Sequence, residues 1–316
     1  MALLIACSSR AEQFAAHIRR EAPDLDVRIA PDLGNPAEID TALCWLPPRG
    51  LVATLPNLKL IVSVGAGVDA LLDDPSLPAH VPLVRFVDPD LTGRMAEYVA
   101  LQVLYHQRRM TEYRALQAER KWTYIPEAAA HDVRVGLMGL GVLGTASAKV
   151  LQAVGYQVRS WSRSPKSVPG VTSFAGDAAL DEFLAGTDIL AVILPLTGET
   201  RGILNRGLIR KLSRQGRTPL LPGPVLINAG RGGLQIDADI HAALEAGELY
   251  AASLDVFQVE PLPATSPFWA HPRVVVTPHS AAESSPLAIA RYAVRQMRRQ
   301  AAGEALENVV DRRRGY

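Results

Sequence analysis

Three segments late in the chain each end a short apolar run on a side chain suited to acid, base or anion chemistry. Val225–Asn228 runs into Ala229-Gly-Arg231-Gly-Gly233. Ala251–Val256 carries Asp255 and leads to Glu260-Pro261, and Val274–Thr277 runs into Pro278-His279-Ser-Ala-Ala282. An imidazole can deliver a proton near neutral pH, and a carboxylate beside it holds the ring and favours its charged form. A guanidinium can polarise a carbonyl and bind a carboxylate. Singly, each residue has a structural explanation: an arginine in a glycine turn, a glutamate at a turn, a histidine at a helix cap. Together, at the ends of successive strands, Arg231, Glu260 and His279 form a constellation for proton transfer to a polarised carbonyl. The other six histidines lack this context. His17 and His241 fall in helical patterns, His106 in a long helix, and His80, His131 and His271 in turns or loops, all read as structural or surface residues.

A second signal tells what reaction such a set would serve. Val133-Arg-Val-Gly-Leu-Met138 is followed at once by Gly139-Leu-Gly141-Val142-Leu143-Gly144 and a helical pattern from Thr145 to Val154. Alone, GxGxxG is a weak signal, but here it has the strand–turn–helix context that it needs. Gly139 allows the tight turn, Gly141 lets backbone approach a pyrophosphate, and Gly144 permits close packing of helix on strand. An acidic residue about 20 positions on would take the ribose 2′-hydroxyl of NAD. From Thr145 to Gly176 the chain has no Asp or Glu, and the next strand ends in Trp161-Ser162-Arg163-Ser164-Pro165-Lys166. Ser162 removes the repelling carboxylate, while Arg163 and Lys166 can pair with a 2′-phosphate. NADP(H) is therefore expected, with NAD(H) the weaker alternative. A hydride carrier beside Arg231, Glu260 and His279 fits reduction of a 2-oxo acid, with His279 as the acid. No metal site is expected.

The elements that must position these groups follow from hydrophobic periodicity. Strands are predicted at Leu3–Ala6, Val27–Ala30, Ala42–Leu46 and Leu60–Val64, with a helix at Ala11–Glu21. A long helix over Thr92–Glu119, with Met95, Val99, Val103 and Leu104 at helical spacing, links to a second series of strands. Those strands lie at Val133–Met138, Tyr156–Trp161, Ile189–Leu194, Val225–Asn228, Ala251–Val256 and Val274–Thr277. Strands alternating with helices predict an α/β chain of two doubly wound parallel-sheet, Rossmann-like domains. A last helix, about Pro286–Gly303, can fold back to make the first domain discontinuous. The expected division is 1–95 plus 284–316 for a substrate-binding (catalytic) domain and 96–283 for an NAD(P)-binding domain. Arg210–Pro224, with three prolines, reads as an exposed loop, and Arg312-Arg-Arg314 as a solvated tail.

Composition bounds the alternatives. A chain of 316 residues with 48% hydrophobic and 21% charged residues is globular rather than disordered. Lys plus Arg (33) nearly balances Asp plus Glu (32), which gives no electrostatic reason to expect nucleic acid or a membrane surface as partner. Two cysteines, Cys7 and Cys44, are too few for a disulfide scaffold and favour a reducing compartment. No apolar run approaches the ~20 residues of a membrane span. Met1–Cys7 lacks the basic start of a signal peptide and reads as a first buried strand. A soluble, cytoplasmic protein is expected.

These motifs, taken together, resemble the D-isomer-specific 2-hydroxyacid dehydrogenases, and most closely their glyoxylate/hydroxypyruvate reductase A branch. The resemblance is carried by Ser63-Val-Gly-Ala-Gly-Val-Asp69, Gly139–Gly144, Trp161-Ser-Arg-Ser164, Asn228-Ala-Gly-Arg-Gly232, Leu254-Asp-Val-Phe257, Glu260-Pro-Leu-Pro263, Thr277-Pro-His279 and the ending Asp311–Tyr316. It implies that Arg231 binds and polarises substrate, that Glu260 supports His279, and that His279 is the acid/base. It also implies that the Gly65-Ala66-Gly67 turn holds the substrate carboxylate through the amides of Ala66 and Gly67, beside a small pocket lined by Trp45. On the cofactor side it adds Val142, Leu143, Ser164, Ala229 and the Leu194-Pro195-Leu-Thr197 segment, and gives Asp255 the nicotinamide carboxamide to orient. It implies a homodimer built through the cofactor domain and the long helix, reducing glyoxylate and hydroxypyruvate with NADPH. The alternatives are a relative with a different 2-oxo acid and, from another class, a nucleotide-sensing binding protein on the same fold. Glu260 argues against a formate dehydrogenase, which typically has Gln there, and the chain leaves no room for a phosphoglycerate dehydrogenase's regulatory domain.

Overall fold

Leucine- and β-branched-rich runs bounded by turns become strands buried on both faces, as parallel sheets require. The computed structural model describes residues 2–315. Met1, which opens the first apolar run, and Tyr316, the last residue of the Arg-Gly-Tyr ending, lie outside the described residues. The chain divides into two compact units, Met1–Leu91 with Glu283–Tyr316, and Thr92–Ala282.

The first unit holds β1 (Ala2–Cys7), β2 (Asp26–Ile29), β3 (Ile39–Trp45), β4 (Leu60–Ser63) and β5 (Leu83–Arg85) in one parallel sheet of order β2-β1-β3-β4-β5. Helix α1 (Ala11–Glu21) buries Phe14, Ala15 and Ile18, and the short α2 (Asp69–Leu72) follows the Gly65–Gly67 turn. The C-terminal segment is integral to this unit. In the last helix of the chain, Pro286–Ala302, Ile289, Ala290, Tyr292, Ala293 and Met297 are buried. Tyr292 meets Phe86 edge-on at 5.4 Å, and its hydroxyl lies 3.0 Å from the Arg85 carbonyl and 2.9 Å from that of Glu307. Val309 then pairs with Val84 as an antiparallel bridge.

The second unit begins on α3 (Pro89–Gln107) and α4 (Met110–Ala118). One continuous helix was expected here. It breaks at Arg109, whose φ is +56° and whose guanidinium pairs with Glu112 at 2.6 Å. No glycine or proline marks the break; what changes is burial, because α3 sends Met95, Val99 and Val103 into a core and α4 buries none of its residues.

Seven parallel strands follow: β6 (Arg134–Met138), β7 (Gln157–Ser162), β8 (Thr172–Ala175), β9 (Ile189–Val192), β10 (Val225–Asn228), β11 (Ala251–Leu254) and β12 (Val274–Val276). Their order is β12-β11-β10-β9-β6-β7-β8. Alternate residues feed two cores, Ile189, Ala191 and Ile227 on one face and Leu190, Val192 and Leu226 on the other. Helices α5 (Val142–Val154), α6 (Leu180–Ala185), α7 (Arg206–Ile209) and α8 (Asp237–Glu245) complete the unit, and the Pro286–Ala302 helix is α9 of the chain. Strand order reverses at β6 and β9, the switch point beyond whose carboxyl ends doubly wound sheets bind ligands.

Composition alone misjudged Arg210–Pro224. Its tip at 214–216 is exposed, yet Leu212 (3% exposed) and Leu221 (1%) are core residues. The Ser213 hydroxyl donates to Asp188 Oδ1 at 2.8 Å, and Asp188 is also the partner of Arg134. Polar and proline content reports turns, not whether apolar side chains between them reach the core.

Candidate active site

The glycine turn meets the steric demands of its fingerprint. Gly139 has φ +105°, and a Cβ there would sit 2.9 Å from the Ile193 carbonyl oxygen. At Gly144 a Cβ would sit 1.9 Å from the Gly139 carbonyl oxygen, so only glycine lets helix pack on strand this closely. Around Gly141 nothing lies within 4 Å of where a Cβ would be, which leaves open space above the N-terminus of α5. The first amides of that helix, those of Val142, Leu143 and Gly144, are the intrinsically unpaired donors of a helix start. An anion such as a pyrophosphate fits this cradle.

At the end of β7 the basic segment is already engaged. Ser162 is buried and its hydroxyl donates to the Ser164 carbonyl at 2.8 Å. Arg163 Nη1 donates to Glu199 Oε2 at 2.7 Å, and Lys166 Nζ to the Leu140 carbonyl at 3.2 Å. Beyond β9, Leu194 is buried, and the Pro195 carbonyl accepts from the Thr200 hydroxyl at 2.7 Å. Ala229, also buried, donates its amide to the Val192 carbonyl at 3.1 Å.

The end of β10 is tied down by its last residue. Asn228 Oδ1 accepts from the Gly230 amide, while Nδ2 donates to the Arg231 carbonyl at 3.2 Å and to Gln235 Oε1 at 2.8 Å. Gln235, fully buried, reaches the Val256 carbonyl beyond β11. Gly232 is forced by contact, since a Cβ would lie 1.7 Å from the Phe257 carbonyl oxygen. Arg231 thus leaves a rigid backbone, with Nη1 on the Gly230 carbonyl at 2.8 Å.

Glu260 and His279 meet directly. His279 Nδ1 lies 2.8 Å from Glu260 Oε2, and Glu260 Oε1 accepts from the Phe257 amide at 3.0 Å. A carboxylate only accepts, so Nδ1 carries the proton and Nε2 is the nitrogen left for a substrate. Half-burial works to raise the Glu260 carboxyl. The hydrogen bond from His279, that of the Phe257 amide and the charges of His279 and Arg231 outweigh it and hold the carboxyl below its ordinary value.

His279 itself has φ +53°, a left-handed backbone that costs a non-glycine residue about 1–2 kcal/mol. Asp255 supports it. The His279 amide donates to the Asp255 carbonyl at 2.8 Å, and the Asp255 carboxylate accepts from Thr277 Oγ1 (2.6 Å) and the amides of Ser280 (2.9 Å) and Ala281 (3.0 Å). Because Thr277 spends its proton on that carboxylate, the Tyr98 hydroxyl, 2.9 Å away, must be the donor to Thr277. Sequence reasoning singled out Asp255, and held Thr277 only as part of the Thr277-Pro-His279 motif, but did not name Tyr98 or Gln235. Only the fold brings Tyr98 to this strand end.

In the first unit, the Gly65–Gly67 turn has its carbonyls held. Ser63 Oγ donates to the Gly65 carbonyl at 3.1 Å, and Arg85 Nη1 to that of Ala66 at 3.3 Å. Trp45 lies against the turn, and a Cβ on Gly65 would come 2.6 Å from its ring. Of the remaining histidines, His106 is buried, with Nε2 2.7 Å from the Ser253 hydroxyl, which donates to Gln102. No group of three or more His, Cys, Asp or Glu that could hold a metal is found among the described residues, and no described helix is long and apolar enough to cross a membrane.

Comparison with known proteins agrees with this fold. The sequence profile of the D-isomer specific 2-hydroxyacid dehydrogenase NAD binding domain matches residues 100–281. Glyoxylate/hydroxypyruvate reductase A of Serratia proteamaculans is 41% identical over 311 residues, covering 97% of this chain and 96% of the relative. An NADPH-dependent glyoxylate/hydroxypyruvate reductase from Sinorhizobium meliloti, solved with NADP and sulfate, superposes with TM-score 0.93 at 44% identity, covering 100% of this chain and 99% of the other. A D-isomer specific 2-hydroxyacid dehydrogenase from Xanthobacter autotrophicus, solved with NADPH, gives TM-score 0.92 at 42% identity with the same coverage. The chain belongs to the D-isomer-specific 2-hydroxyacid dehydrogenases.

Proposed function

We propose that this chain reduces small 2-oxo acids, glyoxylate and hydroxypyruvate, to their 2-hydroxy acids with NADPH. The observation that carries the reading is the His279–Glu260 pair with Arg231 close enough to bias the carboxylate, on the edge of the sheet that bears the open glycine turn. When bound, the reduced nicotinamide supplies the hydride that goes to the carbonyl carbon. Arg231 binds the substrate carboxylate and draws charge onto the carbonyl oxygen. His279 gives its Nε2 proton to that oxygen, and Glu260 stabilises the imidazolium beforehand. The amides of Ala66 and Gly67 take the carboxylate, and Trp45 limits substrate size. The glycine turn with Val142 and Leu143 holds the pyrophosphate, the Ser162–Lys166 segment the 2′-phosphate, and Leu194, Pro195, Ala229 and Asp255 flank the nicotinamide half. Residues 1–95 with 284–316 serve substrate and 96–283 serve cofactor.

The relatives named as glyoxylate/hydroxypyruvate reductases favour these substrates over bulkier ones. The test is a substrate panel reporting kcat/KM with NADPH and with NADH. The expected outcome is NADPH-dependent turnover of glyoxylate and hydroxypyruvate. Failure to reduce any small 2-oxo acid, with nucleotide binding intact, overturns the proposal.

We also infer a cytoplasmic homodimer. Both cysteines are free thiols, in keeping with a reducing compartment. Leu101, Met110, Trp122 and Tyr124, along and after the α3–α4 region, are exposed apolar side chains of the kind an interface covers. Sedimentation should give twice the chain mass.

A further inference from the structure

We propose that Glu199 tunes cofactor selectivity as the counter-ion of Arg163, to be exchanged for the 2′-phosphate of NADP(H). The inference rests on the NADP(H) reading above. Sheet order places β6 between β7 and β9. Arg163 follows Ser162, the last residue of β7, and Glu199 lies in the segment that leaves β9. Strands two places apart in a sheet are separated by about 10 Å. Arg163 Nη1 and Glu199 Oε2 meet at 2.7 Å, so the pair joins the segments that leave the two strands flanking the carboxyl end of β6. That is where the glycine turn leaves the sheet and the open space above Gly141 begins. Lys166, from the same basic segment, is held on the Leu140 carbonyl of the turn itself. The cations read as phosphate ligands are therefore satisfied by protein acceptors, and the ion pair ties together the segments that leave the strands on either side of the glycine turn.

Such a pair is made to exchange. Its side chains are 51% and 68% exposed, so it contributes little to folding and is screened by salt. A 2′-phosphate brings up to two negative charges and a bidentate face for the guanidinium, and can replace a single carboxylate. A 2′-hydroxyl cannot, so the non-phosphorylated nucleotide leaves Arg163 to Glu199. Glu199 thus competes with the phosphorylated cofactor alone and keeps its affinity below what Arg163 could give.

The test is calorimetric titration of the full chain with 2′,5′-ADP and with 5′-AMP at fixed ionic strength. Glu199→Gln should bind 2′,5′-ADP about two- to five-fold tighter than the wild type, the range an exposed ion pair spans, with 5′-AMP unchanged. The gain should vanish when Arg163→Ala is combined with it. Unchanged 2′,5′-ADP affinity in Glu199→Gln overturns the proposal. So does an equal gain for 5′-AMP, or a gain that persists without Arg163, since either would be a general charge effect. A wild-type protein that binds both nucleotides equally overturns the NADP(H) reading and the proposal with it, a result distinct from the other three.

Discussion

At the scale of residues, the proposed reduction rests on one histidine, His279, whose two nitrogens are placed differently. Nδ1 is committed to Glu260 at 2.8 Å, which leaves Nε2 to act. His279→Ala should lower kcat by ~10²–10⁴, the range of general acid–base catalysis, while the affinity for 2′,5′-ADP stays as it was. Steady-state kinetics beside calorimetry separates the two. Glu260→Gln removes the carboxylate that holds Nδ1, and kcat should fall about ten-fold or more while the affinity for 2′,5′-ADP stays as it was. An unchanged kcat would take Glu260 out of the mechanism. At the cofactor end, Ser162→Asp restores a carboxylate where a 2′-phosphate would sit, and the ratio of kcat/KM for NADPH over NADH should fall at least about ten-fold, the worth of one charge-assisted contact. Residue types at strand ends made this much legible in the sequence. The left-handed backbone of His279 and the donors around Asp255 were not, because each depends on partners such as Tyr98, which is 179 positions from Thr277.

Elements were legible where periodicity is uninterrupted and illegible where burial decides. Val225–Asn228 and the start of α9 at Pro286 fall where apolar spacing put them. The break at Arg109 and the anchoring of Leu212 and Leu221 depend on which side chains find a core. Strands β5 and β8, of three and four residues, carry too few apolar positions to show a period. One contact between elements carries a pH signature. His106 of α3 is buried against Ser253 of β11, and burial pushes its ring down to about 4 from an ordinary 6.5. The hydrogen-bond directions agree, because Ser253 donates to Gln102 and must accept from a protonated Nε2. The sign follows from linkage. Between pH 6.5 and 4 the unfolded chain holds the extra proton, so the native state loses stability as pH falls through that window. The full loss is of order ~3 kcal/mol. Thermal melts from pH 7.5 to 5 should show Tm falling less steeply in His106→Gln than in the wild type. Equal slopes would show that this ring does not titrate with folding.

For the whole molecule, the two units differ in how the chain builds them. Unit 2 is one uninterrupted segment, Thr92–Ala282, with separate cores on the two faces of its own sheet. Unit 1 needs two segments, because α9 buries Ile289, Tyr292 and Met297 within it and Val309 extends its sheet at Val84. The composition that reads as globular cannot reveal this asymmetry; it emerges from where the last apolar helix finds its partner. A chain that ends at Ala282 should therefore lose the first unit's fold and keep the second's. A fragment of residues 89–282, begun at the first residue of α3, should melt cooperatively, since it carries a core on each face of its own sheet. It should also bind 2′,5′-ADP with an affinity near that of the full chain, because the glycine turn, Arg163, Lys166 and Glu199 are all within it. It should reduce no 2-oxo acid, since it lacks the Gly65–Gly67 turn assigned to the substrate carboxylate. Scanning calorimetry with and without nucleotide checks each part. A fragment that fails to melt cooperatively would show that the second unit depends on the first for its fold.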